Sequence, residues 1–156
     1  MPLAALIESQ SETIIAEALA AVARSELGHY RAIAVPETAA RLRTLLDLVI
    51  VCARKRDLMP MIENADRIAR ERFSAGAQLS EIQTAFNVLE ESIWRVVTDM
   101  SEHTEMADAL GVVSTILGAG KDQLACVWVG LASGTHAPTV DLESLSRGVE
   151  GDLRAG

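Results

Sequence analysis

The stretch that decides the fold class is residues 80–100, SEIQTAFNVLEESIWRVVTDM, in which apolar side chains recur every three or four positions. This spacing places them along one face of an α-helix for nearly three heptads. Ser80 and Gln83 have the spacing of a capping box, which predicts where the helix begins. The apolar face of this helix can serve either a core or a partner helix.

The same periodicity runs through most of the chain, and no segment sustains the alternation of a half-buried strand, so the sequence predicts an all-α protein. A second capping box is predicted at Ser9 and Glu12. Gly111, Gly118 and Gly120 interrupt the last helix, each at a cost of about 1 kcal/mol relative to alanine, and they either permit close helix approach or mark a bend. The five predicted helices span about residues 9–26, 36–56, 57–76, 80–100 and 104–131.

Composition limits the possible functions. The chain has 156 residues, of which 49% are hydrophobic, and a net charge of −8. This size predicts one domain over residues 1–133, followed by an acidic, glycine-containing tail over 134–156 with at most one short helix. The negative charge disfavours nucleic acid and membrane surfaces as partners, and the start of the chain lacks a secretory signal. We therefore expect a cytoplasmic protein whose two cysteines, Cys52 and Cys126, are free thiols.

Motifs for catalysis are absent from the sequence. It contains no phosphate-binding glycine loop, no nucleophile elbow and no zinc-protease motif, so we predict neither catalytic residues nor metal ligands. Glu26 and His29 form one Glu-x-x-His pair, but a di-iron bundle needs two such pairs and two further glutamates. No histidine lies mid-helix on an apolar face, where a haem ligand is expected, and we predict no cofactor.

The candidate pocket or interface residues are therefore apolar and lie on the fourth and fifth predicted helices. Aromatic residues make up only 3% of the chain, so Trp94 and Trp128 are interpreted as core or interface anchors, or as the lining of a small-molecule pocket. The full set of candidates is Phe86, Ile93, Trp94, Leu117 and Trp128.

Residues 70–86, RERFSAGAQLSEIQTAF, followed by Leu89 and the Ile93-Trp94 pair, resemble the N-terminal helical domain of RsbR-type co-antagonists of the bacterial stressosome. In that family a charged helix ends at a glycine, and a loop leads into an amphipathic helix with an alanine-aromatic pair and a later tryptophan. The similarity covers about residues 38–132. It implies a five-to-six-helix, globin-like or bundle-like sensory domain that is homodimeric and non-catalytic, and that acts on a following signalling domain.

Three hypotheses follow from these observations. The first is a non-catalytic sensory or regulatory module that forms a homodimer through the fourth or fifth helix and modulates a bacterial signalling or stress-response partner. The alternative is a helical protein that binds a small molecule, haem included, between its helices. The third is a metal-dependent enzyme of the carboxylate-bundle type, which would depend on Glu26 and His29.

Overall fold

A computed structural model describes residues 1–25 and 35–134, with Val35 described by its backbone alone. Within these two ranges the chain forms six α-helices and no strand, which confirms the all-α, five-to-six-helix prediction. The choice between a globin-like and a bundle-like arrangement stays a prediction. The helices are α1 (Leu3–Ser9), α2 (Ser11–Arg24), α3 (Val35–Lys55), α4 (Met59–Ser74), α5 (Leu79–Met100) and α6 (His103–Ser133).

The N-terminal region differs from the prediction, because a short helix, α1, precedes the expected one. Ser9 is the last residue of α1, and its hydroxyl donates to the carbonyl of Leu6 at 2.8 Å, so the predicted capping box with Glu12 is wrong. Burial explains the extra helix, since Leu6 and Ile7 lie in the core. The expected helix end at Gly28 lies outside the described residues.

The ends of α3 and α4 follow the local sequence. The Oδ1 of Asp57 accepts a hydrogen bond from the backbone N–H of Met59 at 3.0 Å, so Asp57 satisfies a donor in the first turn of α4. Gly76, at φ +79°, follows the last turn of α4, in agreement with the predicted stop.

A two-residue connection joins α5 to α6, and these two long helices pack against each other. The predicted capping box of Ser80 with Gln83 is wrong, since α5 begins one residue earlier, at Leu79, without a side-chain cap. The predicted apolar seam is buried from Ile82 to Val97, whereas Met100 at its end is 56% exposed.

One apolar core draws on all six helices. The most extensive packing joins α4 to α6, followed by α2 to α5 and α5 to α6, while α1 packs mainly on α3. Two ion pairs join α3 to the N-terminal helices. Arg43 pairs with Glu12 of α2 at 2.9 Å, and Arg54 pairs with Glu8 of α1 at 2.8 Å. Both are exposed and contribute little to stability.

The residues from 135 onward lie outside the described part of the chain, so the predicted tail and its short helix stay predictions. None of the described helices is both long and apolar enough to cross a bilayer.

Candidate interaction surface on the last helix

The inner face of α6 is packed into the core. Val113, Leu117, Leu124 and Val127 are all buried there. A Cβ atom at Gly120 would lie 2.7 Å from Cε1 of Phe86 and 2.9 Å from Sδ of Met61, closer than packed carbon and sulfur atoms approach. Gly120 therefore permits close approach of α6 to α4 and α5, which was one of the two predicted roles of the glycines.

A polar cluster fixes α6 against α5. The Glu90 carboxylate accepts a hydrogen bond from the Ser114 hydroxyl at 3.0 Å and one from the Lys121 ammonium at 3.4 Å, while Lys121 also donates to Oδ1 of Asn87 at 3.1 Å. Ser114 and Lys121 are separated by one heptad along α6, so a single carboxylate holds the helix at two points. The Glu90 side chain is only 15% exposed, which strengthens these contacts relative to surface pairs.

The outer face of α6 is only partly covered by the described helices, since its first half lines a groove shared with α1 and α3. A Cβ atom at Gly111 or Gly118 would find nothing within 4 Å. Val112 is 40% exposed and Val129 is 62% exposed, two of the six large apolar side chains that are exposed in the described residues. We call this surface, Asp108, Gly111, Val112, Thr115, Gly118, Asp122, Ala125 and Val129, the outer face of α6.

A groove of about 1080 Å³ adjoins the N-terminal half of this face. Cys52 and Ile116, which are almost fully buried, line it together with Val112. The groove lies between the start of α1, the end of α3 and the first half of α6. It is lined by Pro2, Leu3, Ala4, Ala5, Cys52, Ala53, Arg54, Arg56, Asp57, Leu58, Ala107, Asp108, Gly111, Val112, Thr115 and Ile116.

Four charged residues line this groove, Arg54, Arg56, Asp57 and Asp108. The backbone of Arg56 adopts φ +53°, a left-handed conformation that is unfavourable for a residue other than glycine. The conformation lets the N–H of Asp57 donate to the carbonyl of Cys52 at 3.2 Å, which closes the end of α3. Arg54 on the same rim is engaged with Glu8, whereas Arg56 forms no ion pair with any described residue.

Burial also affects the thiol in the groove floor. Removal of Cys52 from water raises the pKa of its thiol, and the nearby Asp57 carboxylate raises the pKa further, although a backbone hydrogen bond from Met61 opposes the shift. Cys52 is therefore a neutral, weakly reactive side chain at physiological pH.

The five candidates predicted from the sequence do not share one cavity. Phe86, Ile93 and Leu117 are core residues, and Trp128 packs edge-to-face on Phe73 with ring centroids 5.4 Å apart. Trp94 is 41% exposed and lies outside the core. Phe86 lines a cavity of about 50 Å³ between α3, α4 and α5, while the other four line neither that cavity, nor the large groove, nor a third cavity of about 400 Å³ beside Met1.

Sequence reasoning missed the outer face of α6 and Arg56. The available signal was that α6 is apolar around most of its circumference, with Gly111 and Gly118 one heptad apart. A helix of that composition is typically buried on more than one side.

Metal chemistry has little support in the described residues. They contain no group of three or more histidine, cysteine, aspartate or glutamate side chains placed to hold a metal ion. His103 is exposed at the first position of α6. Glu26, His29 and His136 lie outside the described ranges.

The fold and surface define an all-helical domain with glycines and exposed valines on one face of its last helix. The family model described as the RsbT co-antagonist protein rsbRD N-terminal domain matches residues 8–127. The chain belongs to this family, which confirms the resemblance seen in the sequence and makes it a regulatory, stressosome-related N-terminal domain. Comparisons with curated proteins and with solved structures found no match.

Proposed function

We propose that this domain is a non-catalytic regulatory module of the cytoplasm that forms a homodimer through the outer face of α6 and thereby modulates a bacterial signalling partner in the stress response. The observation that carries the proposal is the outer face itself, where two glycines and two exposed valines lie between the polar residues Asp108, Thr115 and Asp122.

The glycines provide the first argument. Each glycine in a helix interior costs about 1 kcal/mol relative to alanine. Close packing against Phe86 and Met61 accounts for Gly120, whereas no packing among residues 1–25 and 35–134 accounts for Gly111 and Gly118. A second helix that approaches closely would account for both.

The exposed valines provide the second argument. Burial of a valine side chain contributes roughly 1.5 to 3 kcal/mol. Val112 and Val129 lie on the same face as the two glycines, in the first and second halves of α6. An interface along this face would therefore bury apolar surface over most of the helix.

The mechanism that this supports is a change in helix packing. Ser114 and Lys121 hold α6 firmly to Glu90 on α5. A change in how two α6 helices meet would therefore be transmitted to α5, and through α5 to α2, which packs on it. A protein partner bound to either helix would then respond to that change.

The test is oligomeric state, measured by light scattering in line with size exclusion at tens of micromolar protein. We expect the wild type to be a colourless dimer and Val129→Arg to be a monomer with unchanged helical content. Ala23→Arg, at an exposed position of α2, is the matched control and should remain dimeric. Ile93→Glu and Leu117→Glu are less informative, because both residues are fully buried and the variants should unfold. A well-folded wild-type monomer would contradict the proposal.

The groove supports a second candidate, a protein that binds a small apolar molecule. Its volume of about 1080 Å³ exceeds that of most drug-sized ligands. None of the lining residues is a histidine, so haem is the less suitable ligand here. An absorbance spectrum and native mass spectrometry of the purified protein separate the two candidates, since a monomer with a co-purifying molecule would favour this one.

A further inference from the structure

The small cavity between α3, α4 and α5 lies beside the fully buried ring of Phe86, and most of the residues that line it are buried. Its volume of about 50 Å³ has room for roughly three to five water-sized groups. Voids larger than one water molecule are few in a protein interior, because the atoms around them lose dispersion contacts. The cavity is therefore large enough to hold a small molecule.

The two ends of this cavity differ in polarity. One end is formed by helix termini, with Thr38 in the first turn of α3, Arg72 in the last turn of α4 and Glu81 in the first turn of α5. The residues of the other end lie about 6 to 10 Å further along the same three helices, and they are Leu45, Ile68 and Phe86. The cavity thus has a polar end and an apolar end, which is the pattern that an amphiphilic molecule fits.

The charges at the polar end are balanced. Arg72 and Glu81 have opposite charges and line the same cavity, while the guanidinium of Arg41, which also lines it, pairs with Glu37 at 2.6 Å. An ion placed between these groups would be attracted to one and repelled by another, and it would lose its hydration on entry. Charge balance therefore favours a neutral ligand.

The hydrogen-bonding groups at the polar end are both donors and acceptors. Thr38 is 5% exposed and Glu81 is 6% exposed, so both present polar atoms in a setting with little water. A carboxylate accepts several hydrogen bonds, whereas a hydroxyl both donates and accepts. An amide or a hydroxyl group of a ligand would donate to Glu81 and accept from Thr38 at the same time.

Phe86 connects the cavity to the last helix. Its ring lines the cavity, and it also contacts the backbone of α6, since a Cβ atom at Gly120 would lie only 2.7 Å from Cε1 of Phe86. An empty cavity gives the ring space to move away from α6. A molecule in the cavity would remove that space and hold the ring against Gly120.

We propose that this cavity binds a small neutral molecule, with an amide or hydroxyl group at Thr38 and Glu81 and a short apolar tail against Phe86, and that the bound molecule restricts the motion of α6 through Phe86. The cavity is separate from the outer face of α6 and from the large groove, so binding does not depend on the proposed dimer. The effect on α6 rests on the proposed function, in which the packing of α6 carries the signal.

Titration with primary carboxamides tests the ligand class, followed by NMR chemical-shift changes of the backbone amides. We expect saturable binding of propanamide, and binding of the longer pentanamide that is weaker by on the order of tenfold, because the cavity limits the length of the tail. Propionate and propylammonium resemble propanamide in size and should also bind on the order of tenfold more weakly, because each carries a charge into a balanced site. Shifts that do not saturate, or equal binding of propionate and propanamide, would overturn the proposal.

Two substitutions in the cavity wall test the location. Ala85→Val adds volume to the wall and should abolish propanamide binding, whereas Ala53→Val is the matched control, because Ala53 lines the large groove instead. Ile82→Val enlarges the cavity by one methyl group and should shift the preference from propanamide to the longer butanamide. Circular dichroism checks that each variant is folded. Wild-type binding in Ala85→Val, or an unchanged preference in Ile82→Val, would mean that the ligand binds elsewhere.

Hydrogen exchange tests the link to α6. With saturating propanamide, the backbone amides around Gly120 should exchange more slowly by on the order of threefold, since the ring of Phe86 is held against the helix. In Phe86→Leu, which lacks the ring, bound propanamide should leave these rates unchanged. Equal exchange rates with and without propanamide in the wild type would overturn the coupling.

These results separate the two proposals. A wild-type monomer that binds propanamide defeats the proposed dimer and retains the cavity as a binding site. A wild-type dimer that does not bind propanamide retains the proposed function and defeats this inference.

Discussion

Gly118 and Gly120 lie two residues apart in α6, yet the structure explains only one of them. Gly120 faces Phe86 and Met61, and any side chain there would collide with both. Gly118 faces open space, where alanine would fit and would favour the helix. In the proposed dimer, a residue such as Gly118, which is unfavourable in an isolated helix and unexplained by packing among the described residues, marks the contact surface.

The largest expected effect concerns the inner face. Leu117→Ala should lower the free energy of unfolding by about 2 to 5 kcal/mol, because Leu117 is fully buried and its truncation leaves a cavity. Denaturant unfolding measures the change. Val129→Ala on the outer face is the control, and at protein concentrations low enough for monomer it should change stability by less than about 0.5 kcal/mol. Similar losses for the two variants would contradict the distinction between the faces.

Gly120→Ala tests the close approach directly. Overpacking against Phe86 and Met61 costs about 1 to 3 kcal/mol, and the better helix propensity of alanine offsets about 1 kcal/mol of that. We expect a net destabilisation of about 1 kcal/mol by denaturant unfolding. An increase in stability would mean that the flexible Met61 side chain moves aside without loss.

Gly118→Ala should have the opposite sign. In the monomer, at low protein concentration, we expect it to raise the free energy of unfolding by about 0.5 to 1 kcal/mol, since nothing opposes the added methyl group. The same substitution should weaken association at higher concentration, measured by sedimentation. Gly111→Ala should behave alike, and a loss of monomer stability in both variants would refute the open outer face.

The smallest effect is one of chemical reactivity. Cys126 is half-buried on α6, whereas Cys52 is only 2% exposed and its pKa is raised by burial. At pH 8 we expect Cys126 to be alkylated on the order of tenfold faster than Cys52 or more, as followed by mass spectrometry. Equal alkylation rates in the native protein would mean that the groove floor opens readily.

The raised pKa of Cys52 also affects stability. The thiol of Cys52 ionises at a lower pH in the unfolded chain than in the folded one, so the free energy of unfolding should fall as the pH rises above about 8.5.

Most of the fold was predictable because long amphipathic helices carry a strong periodic signal. Ile82, Phe86, Leu89 and Ile93 were placed on one face by their spacing, and all four are buried. The helix starts were less predictable. Serine is a residue type that is favoured at helix N-caps, which is why Ser80 was expected to begin α5. Burial of neighbouring apolar residues instead extends α5 back to Leu79, because packing of this kind outweighs a local hydrogen bond.

The candidate site was harder to predict, for a physical reason. Trp94 follows Ile93 by about 100° around α5, so when Ile93 points into the core Trp94 turns toward solvent, and spacing alone does not decide between them. On α6, apolar and small residues occur around most of the helix circumference. The side that faces the core is therefore determined by where α4 and α5 pack against it, and not by the spacing of its apolar residues. Arg56 is the last residue of the predicted second helix, but the helix pattern did not indicate its left-handed backbone.

The two contacts of α6 with Glu90 restrict how this helix can carry a signal. A piston motion by one turn, about 5.4 Å, would break both hydrogen bonds to the same carboxylate at once and would displace Gly120 from Phe86. A pivot about Glu90 would preserve those bonds while it swings the two ends of the helix in opposite directions, although it would also have to shift the packing of α4 along α6. In the proposed regulatory mechanism, a partner bound at either end of α6 would therefore respond to a tilt, because the 31-residue length of α6 converts a small rotation at the centre into a larger displacement at the ends.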